Sequence, residues 1–188
     1  MYFKVFTGAF LGLVLAVSAQ DSSTHAPVIT NNMPISLYRA TLLQKDNTTV
    51  YGGIFIGSQG SESASQIDIF LGGIPEGEHL NYHIHQYPVP ENGNCYQTGA
   101  HLDPYGRGQT PPCDITAPHT CEVGDISGKH GPAFAPPGEV FSASFPDFFL
   151  SNNDDKPAFF GNRSFVVHGS GGERLTCGNF EEVDISND

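Results

Sequence analysis

The sequence predicts an all-β fold, a barrel or sandwich of about eight antiparallel strands joined by long loops that disulfides tie together. Short runs of apolar residues in alternation recur along the chain, and turn residues separate them. The 188 residues include 22 glycines and 14 prolines, which divide the chain into pieces too short for long helices. Strands at this spacing are typical of antiparallel sandwiches and barrels.

Seven stretches carry strand signals. In chain order they are residues 35–43, 50–56, 66–71, 79–85, 139–145, 164–168 and 174–180. The third alternates most clearly, because Ile67, Ile69 and Leu71 share one face of an extended chain. In the second, Gly52 and Gly53 indicate a bulge or a close backbone approach.

Residues 86–138 lack sustained periodicity and hold nine of the 14 prolines. A connection of this length inside a compact domain is usually functional or disordered. We predict an ordered, functional loop, because the segment carries Cys95, Cys113 and Cys121 and covalent ties would restrict it.

The N-terminus has the pattern of a secretory signal peptide. Lys4 is the only charged residue before Asp21, and residues 9–17 form an unbroken apolar run. We expect cleavage after Ala19, which removes residues 1–19, and the apolar run is too short to span a bilayer. The predicted organisation continues with a polar leader (20–34), a β-barrel domain (35–180) and an acidic tail (181–188).

In a secreted protein, the four cysteines are expected to form two disulfides, and three pairings are possible. Asn47 and Asn162 begin N-glycosylation sequons, so we predict a glycoprotein that is secreted, extracellular or associated with the cell surface or cell wall. The formal net charge of -12 disfavours nucleic acid and anionic lipid as partners. We also predict no membrane insertion.

Four histidines occur in contexts that suit metal binding. His83 and His85 lie two residues apart on a predicted strand, so their side chains point to one face. His101 lies in the long loop, and His168 ends a strand just before a glycine. Imidazole ligands suit copper, zinc, iron and nickel, and tetragonal nitrogen sites favour Cu(II).

The surroundings of these histidines form four motifs. By position they are residues 83–85 (HIH), 95–104 (CYQTGAHLDP), 167–169 (VHG) and 173–179 (ERLTCGN). Together they resemble the copper–zinc superoxide dismutase family, and more closely its secreted fungal copper-only branch, over residues 35–180. The resemblance implies a Greek-key β-barrel and a disulfide between Cys95 and Cys177, which leaves Cys113 and Cys121 for the second. It also implies copper binding by His83, His85, His101 and His168.

Two departures from the zinc-containing family concern the loops. No histidine follows closely behind His101, and Glu122 stands where the family has a zinc ligand, whereas Asp125 matches. Only five residues separate His168 from Arg174, where the family has a long charged loop. Both features belong to the copper-only branch, so the resemblance implies one copper ion, no zinc, and copper that is more open to solvent.

The resemblance implies a superoxide dismutase, an oxidoreductase that converts superoxide to O2 and hydrogen peroxide by Cu(II)/Cu(I) cycling. Arg174 would guide the anion, and His101 would be a catalytic copper ligand. Glu122 would orient His101 by accepting its outer ring N–H, and Asp125 would help to hold the loop. By the same resemblance we expect a monomer.

Other functions fit parts of the pattern. The main alternative is a non-catalytic copper-binding surface glycoprotein on the same fold. A Cu(I) carrier would favour sulfur ligands, yet the chain has two methionines and its cysteines are expected to be oxidised. A zinc hydrolase would need a positioned general base, and the sequence has no H-E-x-x-H motif. His119 and His130 fit no motif and are interpreted as loop histidines.

Overall fold

The computed structural model describes residues 24–58 and 64–186 and confirms the all-β prediction. The predicted signal peptide, residues 1–19, lies outside these ranges. Seven strands form, namely β1 (Leu37–Thr41), β2 (Tyr51–Ser58), β3 (Ser65–Gly72), β4 (Asn81–His85), β5 (Phe141–Asp147), β6 (Ser164–His168) and β7 (Arg174–Val183). Each of them overlaps a stretch that carries a strand signal.

The seven strands belong to one antiparallel sheet with the order β4-β6-β7-β1-β2-β3-β5. The sequence predicts about eight strands, and the described ranges contain seven. Along the free edge of β4 the loop makes isolated pairings, Leu80 with Ala133 and His85 with His101. These pairings satisfy backbone groups at the edge without forming another continuous strand.

Alternation places one face of β3 in the core. Ile67, Ile69 and Leu71 are buried, whereas Asp68 and Phe70 are exposed. Burying an isoleucine or leucine side chain stabilises the fold by about 1.5–3 kcal/mol. The core also selects the strand register, because a slip of one residue would expose the whole buried set.

The segment before β1 packs against the barrel. Ala26 and Ile29 belong to the buried core, and Asn32 is fully buried. The Asn32 side chain donates to two acceptors, at 3.0 and 3.3 Å. At the other end of the chain, β7 continues to Val183 in register with β1. Packed residues therefore lie on both sides of the range 35–180.

Short helices and both disulfides order the long loop. The helices are two 3-10 turns, Cys95–Thr98 and Pro118–Thr120, and helix α1, Ile126–His130. Disulfides join Cys95 to Cys177 and Cys113 to Cys121, the pairing that the resemblance implies. None of the helices in the described ranges is long and apolar enough to cross a membrane.

Candidate metal centre

Strands β4 and β6 supply three of the four histidines. Tyr82 and Ile84 point into the core, so His83 and His85 share the opposite face of β4. Strand β6 runs antiparallel beside β4 and ends at His168. Three imidazoles therefore come from two adjacent strands.

Backbone pairing of the loop brings His101 beside β4. Leu102 N donates to Ile84 O (2.8 Å), and Gly124 N donates to Leu102 O (2.7 Å). Ile84 N in turn donates to Gly124 O (2.9 Å). A Cβ atom on Gly124 would lie 2.3 Å from Ile84 O, so the close approach requires glycine. The same contact brings Glu122, two residues earlier, to His101.

The four imidazoles converge. One ring nitrogen from each of His83, His85, His101 and His168 lies within 4.8 Å of the other three. His85 is fully buried, and His83 and His168 are 9% and 7% exposed. Within residues 24–58 and 64–186, no other group of three or more His, Cys, Asp or Glu side chains is arranged to hold a metal ion.

Hydrogen bonds on the outer side of two rings leave one nitrogen of each facing the cluster. His85 Nδ1 donates to Gly99 O (3.1 Å), and His168 Nδ1 donates to Gly172 O (3.2 Å), because a carbonyl oxygen can only accept. In a neutral ring the other nitrogen, Nε2, then carries a lone pair. The two Nε2 atoms lie 3.2 Å apart, a distance at which two lone pairs repel unless a cation or a proton lies between them.

His101 and His83 have other outer partners. His101 Nδ1 lies 2.5 Å from Glu122 Oε2, and the carboxylate accepts its N–H. His83 Nε2 lies 3.2 Å from Ser127 Oγ and 3.4 Å from Asp125 Oδ1. His83 Nδ1 is buried and has no hydrogen-bond partner among the described residues. A buried nitrogen is costly when nothing binds it, so Nδ1 is the atom that this ring offers to a metal.

Burial keeps the imidazoles of His83, His85 and His168 neutral near pH 7. It lowers the pKa of His85 to about 2 and the pKa of His168 to about 3. Burial also lowers the pKa of His83, although the hydrogen bond to Asp125 opposes that shift. Neutral imidazole is the form that binds a metal. Together with the His101 ring, these three form a set of four nitrogen donors, which fits copper.

The loop that the long disulfide anchors holds Arg174 beside the cluster. The guanidinium Nη1 donates to Cys95 O (2.7 Å) and Thr98 Oγ1 (3.0 Å), and Nη2 donates to Gly99 O (2.7 Å). Gly99 O also accepts from His85 Nδ1, so one carbonyl links the arginine to a histidine of the cluster. A fixed positive charge therefore lies next to the imidazole cluster.

The two loop histidines lie outside the cluster. His130 Nε2 lies 3.1 Å from Asp147 Oδ2, and its ring stacks on Phe145. His119 contacts the His25 ring edge to face. Neither ring points its nitrogens at the four-histidine group.

Sequence reasoning missed several neighbours of the cluster. Ser127 Oγ lies 3.2 Å from His83 Nε2, and Gln109 Nε2 lies 3.3 Å from His101 Nδ1, whose N–H donates to Glu122. The carbonyl groups of Gly99 and Gly172 orient two further rings. No residue type marks a backbone acceptor, because every residue carries one.

The curated proteins with similar sequences are named as cell surface superoxide dismutases. No family model matches the chain. The chain is 37% identical over 200 residues to the cell surface Cu-only superoxide dismutase of Arthroderma benhamiae, which covers 93% of this chain and 52% of that protein. It is 36% identical over 123 residues to cell surface superoxide dismutase (Cu-Zn) 4 of Candida albicans, covering 65% of this chain and 50% of that protein. The chain thus spans about half the length of the curated relatives it matches.

A solved structure agrees with these relatives. Superoxide dismutase 5 of Candida albicans with Cu(II) matches at a TM-score of 0.70 and 27% identity, covering 82% of this chain and 97% of that chain. The likeness therefore extends over nearly the whole of that protein's structure. The chain is thus homologous to fungal cell surface superoxide dismutases, among them Cu-only forms.

Proposed function

We propose that the protein is a secreted copper-only superoxide dismutase that converts superoxide to O2 and hydrogen peroxide. The observation that carries the proposal is the convergence of four imidazoles next to a fixed guanidinium. His83, His85, His101 and His168 would hold one copper ion. Bound copper supplies a Cu(II)/Cu(I) couple that takes one electron from one superoxide and returns it to a second, with two protons completing hydrogen peroxide.

Arg174 is the anion guide in this proposal. Superoxide is a small anion, and a fixed guanidinium attracts it and orients it beside the histidine cluster. The net charge of -12 opposes that attraction at long range. Exposed charges farther away than about 8 Å are largely screened at physiological ionic strength, so the guanidinium dominates the last part of the approach.

Glu122 orients His101 from the outer side of the ring. The two side chains are 7% and 12% exposed, and low exposure strengthens a charge-assisted hydrogen bond. Accepting a hydrogen bond from Nδ1–H fixes the tautomer in which the Nε2 lone pair faces the cluster. Asp125 accepts from Gly128 N (2.8 Å) at the start of α1 and approaches His83, so it helps to hold the loop that carries Glu122.

We expect one copper ion per chain and no zinc. The names of the curated relatives include both a Cu-only and a Cu-Zn form. The copper-only assignment rests on Glu122. Its carboxylate accepts a hydrogen bond from the outer nitrogen of His101, the atom to which a second metal ion would need to bind.

A location outside the cell is part of the proposal. The relatives are named as cell surface proteins, and two disulfides suit an oxidising compartment. Asn47 and Asn162 are both exposed, so each sequon is accessible to glycosylation. Superoxide is the expected substrate, and we expect the protein to act as a monomer.

Superoxide consumption by the secreted protein, measured together with its metal content, tests the proposal. We expect chelation to abolish the activity and copper alone to restore it at one copper per chain. Zinc alone should restore none. A protein that binds copper at this stoichiometry without consuming superoxide would be a non-catalytic copper-binding glycoprotein, and the proposal would be wrong.

A further inference from the structure

An exposed aromatic ring covers the Arg174 guanidinium. Arg174 Cζ lies over the Tyr96 ring, 5.5 Å from its centroid. Arg174 N donates to the Tyr96 hydroxyl at 3.4 Å, so the backbone and the side chain of the arginine both contact the same tyrosine. Tyr96 is nevertheless 65% exposed, so burial in a core does not explain its position.

Local structure holds the Tyr96 ring in place. Tyr96 lies in the first 3-10 turn of the long loop, where its backbone N–H donates to Asn94 Oδ1 (3.0 Å). The preceding residue, Cys95, is disulfide-bonded to Cys177 on the strand that begins with the arginine. The tyrosine and the arginine therefore belong to two segments that a covalent bond keeps together.

The guanidinium retains donors for an anion. Of its five N–H groups, three donate to the loop at Cys95, Thr98 and Gly99. The other two, on Nε and Nη2, have no acceptor in the described part of the chain. The loop acceptors thus fix one edge of the guanidinium, and the Tyr96 ring covers one face. A small anion can reach the two remaining N–H groups, on Nε and Nη2.

We propose that Tyr96 is a positioning residue for Arg174. The Tyr96 ring holds the guanidinium in its orientation and excludes water from one of its faces. The inference rests on the proposed function, because it concerns how the same site captures a small anion. Only five residues separate His168 from Arg174, so no long loop is available there to cover the guanidinium. A cation–π contact at an exposed site changes an equilibrium by about two- to fivefold, and shielding from water strengthens the attraction between the guanidinium and an anion.

A double-mutant cycle tests whether the ring acts through the arginine. Tyr96→Leu and Tyr96→Phe are made in the wild-type background, and Tyr96→Leu also in the Arg174→Ala background. Tyr51→Leu is the matched control, because Tyr51 is similarly exposed and lies on β2, away from the cluster. Azide is titrated into each copper-loaded variant at matched copper content, and its dissociation constant is read from the change in Cu(II) absorbance. The rate constant with superoxide is measured on the same samples.

We expect Tyr96→Leu to weaken azide binding and slow superoxide consumption by about two- to fivefold. Tyr96→Phe should stay near wild type because it keeps the ring, and Tyr51→Leu should have no effect. In the Arg174→Ala background, Tyr96→Leu should change neither quantity. An equal loss in both backgrounds, or no loss in the wild-type background, would overturn the inference. The azide titration stands even if the protein proves inactive with superoxide, so failure of the proposed function is distinguishable from failure of this inference.

Discussion

Replacing Glu122 is expected to weaken copper binding, and Glu122→Ala is expected to weaken it more than Glu122→Gln. Its Oε2 lies 2.5 Å from His101 Nδ1, and both side chains are largely buried. A hydrogen bond to a charged group contributes about 1.5–3 kcal/mol, and a neutral one about 0.5–1.5 kcal/mol. Glu122→Gln keeps a neutral acceptor of similar shape, so it should cost about 1 kcal/mol, or about fivefold in the copper dissociation constant. Glu122→Ala loses the contact and should cost about 10- to 150-fold.

A competition titration against a chelator of known copper affinity measures these changes. The same preparations at full copper loading give the turnover number with superoxide. Glu139→Gln is the matched control, since Glu139 is exposed and its charge can be removed without touching the cluster. Wild-type copper affinity together with wild-type turnover in Glu122→Ala would refute the idea that this carboxylate orients His101.

Three other parts of the account have their own tests. Arg174→Ala should lower the rate constant with superoxide about 10-fold or more while copper content stays at the wild-type level, and unchanged kinetics would contradict the guiding role. Lys129→Met should lower the free energy of unfolding by about 3–5 kcal/mol in urea titrations, because it strips the counter-charge from the buried Asp147 carboxylate, 2.6 Å from Lys129 Nζ. Burial alone would raise the pKa of Asp147, but Lys129 and hydrogen bonds to the carboxylate hold that pKa well below its usual range. The contribution of the ionised carboxylate is therefore complete above about pH 4 and is lost as the pH falls below it. Urea titrations of the wild-type protein between neutral and acid pH should show this decline, and a flat profile would argue against it. Replacing both Cys113 and Cys121 by Ser should cost about 2–3 kcal/mol for a closure of eight residues, and an unchanged urea midpoint would show that the ring contributes nothing.

The strands and half of the metal centre could be predicted from local pattern. The two-residue period of a strand is enough to place His83 and His85 on one face, whatever the rest of the fold. Their meeting with His101 and His168 is not local, because it depends on the pairing of β4 with β6 and on a loop that returns to the β4 edge. Only the resemblance to a known family indicated that these four residues belong together.

Other features leave no signal in the sequence. Ala26 and Ile29 lie in a polar stretch, and its composition does not predict that it packs on the barrel. From sequence alone Lys129 would be assigned to the surface, because lysine is seldom buried without a partner. Its partner Asp147 lies on a separate strand, so the ion pair is not visible in the local sequence. Tyr96 reads as an exposed aromatic, and its contact with an arginine far along the chain appears only in three dimensions.

Electron paramagnetic resonance of the copper-loaded protein, with metal content measured on the same sample, tests most directly whether four imidazoles share one copper ion. The account predicts one copper and no zinc per chain, a single tetragonal Cu(II) signal with coupling to nitrogen, and a changed signal in His168→Ala. Stoichiometric zinc beside the copper, or a wild-type spectrum in His168→Ala, would contradict it.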